Sequence, residues 1–128
     1  MLTLIRGLPG SGKTTLARQI ARATGAVHVE ADQYFETDTI IKEYRFDPAK
    51  LGDAHRWSQQ RAQCALRAGK HCVVSNTFTQ RWELQPYIAM AREFNTLYKI
   101  ITATGQWPNV HGVPDKAIAR MRVRWQEI

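Results

Sequence analysis

The chain has few cysteines and few acidic residues. Only Cys64 and Cys72 occur in 128 residues, in no metal-ligand spacing, so neither a zinc framework nor a disulfide scaffold organises the fold. Two reduced thiols predict a cytoplasmic compartment. The apolar opening, residues 1–5, is too short for a signal peptide and meets Arg6 at once. No apolar run approaches the roughly 20 residues needed to cross a bilayer, so no membrane partner is expected. Internal repeats and low-complexity linkers are missing as well. Carboxylates are outnumbered: 11 Asp and Glu stand against 18 Lys and Arg, a formal charge of +7. That balance favours anionic partners such as nucleotide, nucleic acid or another phosphorylated compound, and a merely basic soluble surface produces the same count.

What is present suits one domain over residues 1–128, since 44% apolar residues supply a compact core flanked by helices. Residues 2–5 read as a short buried strand. Residues 13–24 read as a helix with Leu16, Ile20 and Ala23 on one face and Gly25 as its stop. "AVHVE" reads as a second strand, followed by the loop-like "ADQYFETD" and an unassigned stretch to residue 52. From Asp53 to Ala68, residues Ala54, Trp57, Arg61, Ala62, Ala65 and Leu66 fall mostly on one helical face, ended by Gly69. "HCVVS" is a third strand. Thr79 is placed to cap a helix to about Phe94, "TLYKIIT" is a fourth strand, and Pro114 opens a last helix with Ile118, Met121 and Trp125 on one face. Strands alternating with helices imply an α/β fold. Its parallel sheet has about four to five strands and helices on both faces, and the active edge lies at the carboxyl ends of the strands.

Between the first strand and the first helix stands "IRGLPGSGKTTLARQI". Gly7, Gly12, Lys13 and Thr14 fill the pattern G-x-x-x-x-G-K-[ST], with Pro9, Gly10 and Ser11 inside it and Thr15 after it. This is a Walker A phosphate loop. Small residues let successive main-chain N–H groups face phosphates, the helix start adds its positive end, Lys13 reaches the outer phosphates, and the Thr14 hydroxyl would hold Mg²⁺. ATP or GTP is the expected nucleotide.

Phosphoryl transfer also needs an acid group near the acceptor, cations for the transferring group and a cover against water. Asp32, just past the second strand, is the candidate general base, the alternative being a turn or cap residue. Glu30 reads as a strand-end surface residue or as an aid to a metal. After the third strand, Ser75, Asn76 and Thr77 stand where P-loop ATPases commonly place an Asp, which weakens a motor-type ATPase reading. Asn76 and Thr77 either bond the metal's waters or the acceptor, or serve as loop and cap residues. Arg81 either reaches phosphate or is solvated. The segment 103–113 suits a mobile cover, in which His111 contacts base or phosphate or orders the loop. On the last helix one arginine, Arg120 first, assists ATP, with Arg122 on another side from Arg120 and Arg124. Trp57, Trp82 and Trp125 fall at core spacing, and Trp107 is the better stacking residue.

The runs "LPGSGKTT", "EADQYF", "VVSNTFTQRWELQPYIAMAREF" and "NVHGVPDKAIARMRVRWQ" resemble the polynucleotide-kinase-like branch of P-loop kinases, which includes small phage and bacterial AAA-family ATPases. The resemblance spans nearly the whole chain in the same order. It implies a kinase-type P-loop fold using ATP and Mg²⁺ to phosphorylate a 5′-hydroxyl of nucleic acid. Lys13 and Thr14 then match the phosphate and metal residues, and Asp32 the general base. The family's arginine three positions after the catalytic acid is replaced here by Phe35, and the short "ATGQWPN" carries no cover-segment arginine. Arg45, Arg56 and Arg81 are the candidate substitutes. Two other readings compete: a kinase for a small metabolite or modified base, with Phe35 against an apolar acceptor, and a non-transferring ATP-binding module that regulates a partner.

Overall fold

The computed structural model describes residues 1–36, 48–107 and 112–128. Four strands, β1 (Leu2–Arg6), β2 (Val27–Val29), β3 (Cys72–Asn76) and β4 (Tyr98–Thr102), form one parallel sheet in the order β2-β3-β1-β4. Four helices, α1 (Lys13–Thr24), α2 (Leu51–Arg67), α3 (Arg81–Glu93) and α4 (Asp115–Arg124), connect or follow them. A 3₁₀ helix, Ala31–Phe35, takes the place of the loop expected after β2.

All five residues of β1 are buried, because it pairs on both edges: Leu2 lies beside Cys72 of β3 and Tyr98 of β4. Strand alternation sends its side chains to opposite faces. Leu2 and Leu4 join Val74, Leu66, Leu84 and Tyr87 in the core beneath α2 and α3, while Ile5 and Val73 meet Ala17, Leu16 and Ile20 of α1 on the other face. Helices on both faces are thus observed. Each fully buried Leu or Val contributes about 1.5–3 kcal/mol.

Several local readings are corrected. Ala23 is exposed, and the packed stripe of α1 is Leu16, Ala17 and Ile20. In α2 Arg61 is exposed and Ser58 is fully buried instead. Thr79 does not cap α3. Gln80 does, with its N–H donating to Glu83 Oε2 at 2.9 Å, and Thr79 donates to the same carboxylate. Trp82 is 67% exposed, since the core face of α3 runs through Leu84, Tyr87, Ile88 and Ala91.

Beyond α4 the chain returns to the loop after β3. Gln126 N–H donates to Thr79 O at 2.8 Å, and the Trp125 ring lies 3.8 Å from the Arg6 guanidinium. Arg6, 1% exposed, donates to the carbonyls of Phe78 and Thr79. Its burial is tolerated because its donors meet carbonyls and its flat face meets an indole.

Candidate active site

The phosphate loop follows β1 and ends in the first turn of α1. Gly10 and Gly12 sit at φ +82 and +85, the left-handed region that side chains resist. Space enforces the same choice. A Cβ on Gly10 would meet Trp107 O at 2.4 Å, and one on Gly12 would meet the Trp107 ring at 2.7 Å. No side chain caps α1 and no acid stands in its first turn, so its positive end is left for an anion. The segment after β4 is fastened to this loop by main-chain bonds, Gly105 N–H to Ser11 O at 3.0 Å and Trp107 N–H to Gly10 O at 2.8 Å. A cavity of about 650 Å³ opens beside it, lined by Gly12, Lys13, Thr14, Thr15, Gln19 and Trp107 among others.

Burial pushes the Lys13 ammonium pKa down, and the Glu30 and Asp32 carboxylates push it back up. Two carboxylates from separate points of the chain therefore act on Lys13. Lys13 comes from the start of α1, Glu30 from the end of β2, and Asp32 from the first turn of the 3₁₀ helix.

Glu30 is 6% exposed, which corrects its reading as a surface residue. Thr14 Oγ1 and Ser75 Oγ each donate to Glu30 Oε1 at 2.5 Å, and His28 Nε2 lies 3.4 Å from the same oxygen. Burial by itself raises the Glu30 pKa, but the bonds from His28, Ser75 and Thr14 more than reverse that and bring it down to about 2. An ionised carboxylate thus stands against the Thr14 hydroxyl, supplied by β2 rather than by the end of β3. The sequence signal was alternation: His28 and Glu30 share a face of β2, opposite the apolar Val27 and Val29.

Asn76 is 6% exposed and is not among the residues lining the loop cavity. Its Oδ1 accepts the Ala31 N–H at 2.8 Å, so it supports the residue before Asp32 and is not free to bond an acceptor. Thr77 is half-buried beside the phosphate loop, and its carbonyl accepts the Gly7 N–H at 3.3 Å. Arg81 is not brought to the loop: its Nε and Nη2 both donate to Glu127 O, at 3.0 and 2.8 Å. Arg120 and Arg122 are both exposed, and Arg122, one turn after Ile118, lines a second cavity beside Pro9 and Trp107. His111 and Arg45 lie outside the described residues. Arg56 is paired with Asp53. Phe35 is 5% exposed, packed with Ala31 and Ala54, so it is core and not an acceptor surface. Trp107, 64% exposed, stands where a stacking residue is expected.

An AAA domain family matches residues 2–109. The human NEDD4-binding protein 2 is 36% identical over 137 residues, an alignment that covers 98% of this chain and 8% of that protein. Among solved structures, a chain of the Pnkp1/Rnl/Hen1 RNA repair complex superposes with a TM-score of 0.69 at 18% identity, over 96% of this chain and 43% of that one. Chaetomium thermophilum Kti12, solved with ADP-AlF3, gives a TM-score of 0.70 at 14% identity, over 99% and 81%. The chain therefore spans under a tenth of its curated relative, and the structural likenesses show a P-loop kinase fold.

Proposed function

The chain belongs to this AAA domain family, and on that premise we propose that it is an ATP-dependent phosphotransferase acting on a hydroxyl, a 5′-OH of a polynucleotide or nucleotide. The observation that carries the reading is the convergence of Lys13, Thr14, Glu30 and Asp32 at the carboxyl ends of β1 and β2. Support for the acceptor class comes from the net charge of +7, from the RNA repair complex among the structural neighbours, and from the burial of Phe35, which removes the basis for an apolar acceptor. The same proposal takes residues 1–128 as one domain, since the core clusters on the two faces of the sheet share β1 and β3. A cytoplasmic setting rests on the free thiols of Cys64 and Cys72. Among the described residues no helix is long and apolar enough to cross a membrane.

The loop amides at Gly10 and from Gly12 to Thr15, at the uncapped start of α1, and the Lys13 ammonium grip the triphosphate. Thr14 and Glu30 suit Mg²⁺, a hard cation that takes one or two protein oxygens together with phosphate and water. The Thr14 proton goes to Glu30, which turns the hydroxyl's lone pairs toward the loop, and the ion would supply charge neutralisation on the phosphates. The acceptor oxygen bonds to the γ-phosphorus, the bond to the β–γ bridging oxygen breaks, and Asp32 takes the acceptor's proton. Trp107 stacks on the nucleobase at the cavity mouth. Incubation with γ-labelled ATP and Mg²⁺ tests this: label should pass to a 5′-OH oligonucleotide and not to its 5′-phosphorylated counterpart. Transfer only to a member of a metabolite panel would replace the acceptor. Hydrolysis without transfer, unchanged by Asp32→Ala, would favour a regulatory ATP-binding module. Oligonucleotide affinity should also fall steeply with added salt.

A further inference from the structure

We propose that Asn76, Ser58 and Tyr87 form a buried positioning relay that sets the place of Asp32, an inference that rests on the reading of Asp32 as the general base. The chain of contacts crosses four elements. Tyr87 of α3 and Ser58 of α2 exchange a hydroxyl bond at 2.8 Å. Asn76 Nδ2, at the end of β3, donates to Ser58 Oγ at 3.4 Å. Asn76 Oδ1 then accepts the Ala31 N–H at 2.8 Å, at the first residue of the 3₁₀ helix that carries Asp32.

Burial makes the relay informative. Ser58, Tyr87 and Asn76 are 0%, 2% and 6% exposed, and Tyr87 belongs to the same core cluster as Leu84, Ile88 and Ala62. Polar groups in such a place destabilise unless each is matched, and an all-apolar core at this point would fold at least as well. What the polar groups add is direction. A carboxamide with both ends occupied has one orientation, and that orientation fixes where the chain leaves β2. Burial also pushes the Tyr87 hydroxyl up to about 12, against the lowering effect of neighbouring Ser58 and Asn76, so it stays a neutral hydroxyl. The relay ends on the main-chain N–H of Ala31, one residue before Asp32, whose carboxylate acts on Lys13 of the phosphate loop. Asn76 is therefore a positioning residue.

The test joins amide hydrogen exchange to kinetics in the full chain. Asn76→Ala should strip exchange protection from the Ala31 amide by about tenfold or more and lower the transfer kcat by about 100-fold, the cost of misplacing a catalytic group by about 1 Å. ATP affinity by calorimetry should stay within about twofold. Tyr87→Phe keeps the ring against Phe78 and removes one hydroxyl, and should give a smaller loss of the same kind. It also serves if Asn76→Ala does not fold. Unchanged Ala31 protection in a folded Asn76→Ala protein, or a loss of ATP affinity that matches the loss of kcat, overturns the relay. Exchange is read without turnover, so a wild-type protein that transfers no phosphate refutes the kinase reading, while the exchange result still decides whether the relay holds Ala31.

Discussion

The two halves of the sheet are built differently. At β1 and β3 every residue is buried, and Glu30 and Asn76 are held by hydrogen bonds between elements distant in sequence. At β4 and α4 the strand is exposed at three of its five positions, α4 has no buried residue, and the segment carrying Trp107 is fastened to the phosphate loop by main-chain bonds. The first half fixes the groups that must not move during transfer. On the proposed reading the second half would supply contact to the nucleotide's base, where displacement costs less. Transfer chemistry should therefore respond sharply to substitutions in the first half, and nucleotide affinity mildly to those in the second.

The largest expected effect is on the carboxylate at the rigid end. Asp32→Asn should lower kcat for transfer by about 10²–10⁴-fold with ATP affinity preserved; a change confined to KM would place the base elsewhere. Stability separates the halves next. Leu4→Ala, in the buried centre of the sheet, should cost about 2–5 kcal/mol in denaturant unfolding. Val123→Ala, 89% exposed on α4, should stay within about 0.5 kcal/mol, and comparable costs would erase the contrast.

Acid probes the same rigid core. The Glu30 pKa lies at about 2, below its ordinary 4.5. Its stabilisation is then fully present above about pH 4.5 and is lost as pH falls to about 2, roughly 3 kcal/mol in all. Unfolding measured across that window should show the wild type losing this amount relative to Glu30→Gln. A gap that does not change with pH would mean the carboxylate is not held ionised. On nucleotide affinity, Trp107→Ala should weaken ATP binding by about 1–3 kcal/mol, the scale of stacking on one base, and leave kcat nearly unchanged.

The phosphate loop was legible because its information is local: eight consecutive positions specify the turn, the helix start and the cation. The four strands were legible for the same reason. Glu30 and Asn76 were not, because their roles depend on β3 lying between β2 and β1, a neighbourhood no single segment encodes. Glu30 looks like a strand-end charge until Ser75 and Thr14 are placed against it, and Asn76 looks like a site residue until Ala31 is. Arg81 stayed open between phosphate and solvent in the sequence, and the returning tail decides it: the exposed guanidinium donates to Glu127 O. Trp82 was misjudged because helical spacing fits more than one face of α3.

All of this depends on the loop at Gly7–Thr15 gripping a nucleoside triphosphate through its amides and Lys13. Calorimetry of ATP with Mg²⁺ against the wild-type chain and Lys13→Ala reads that grip. Saturable heat with the wild type and its loss in a variant of unchanged melting temperature is the expected result. No heat with the wild type, or the same heat with the variant, contradicts it.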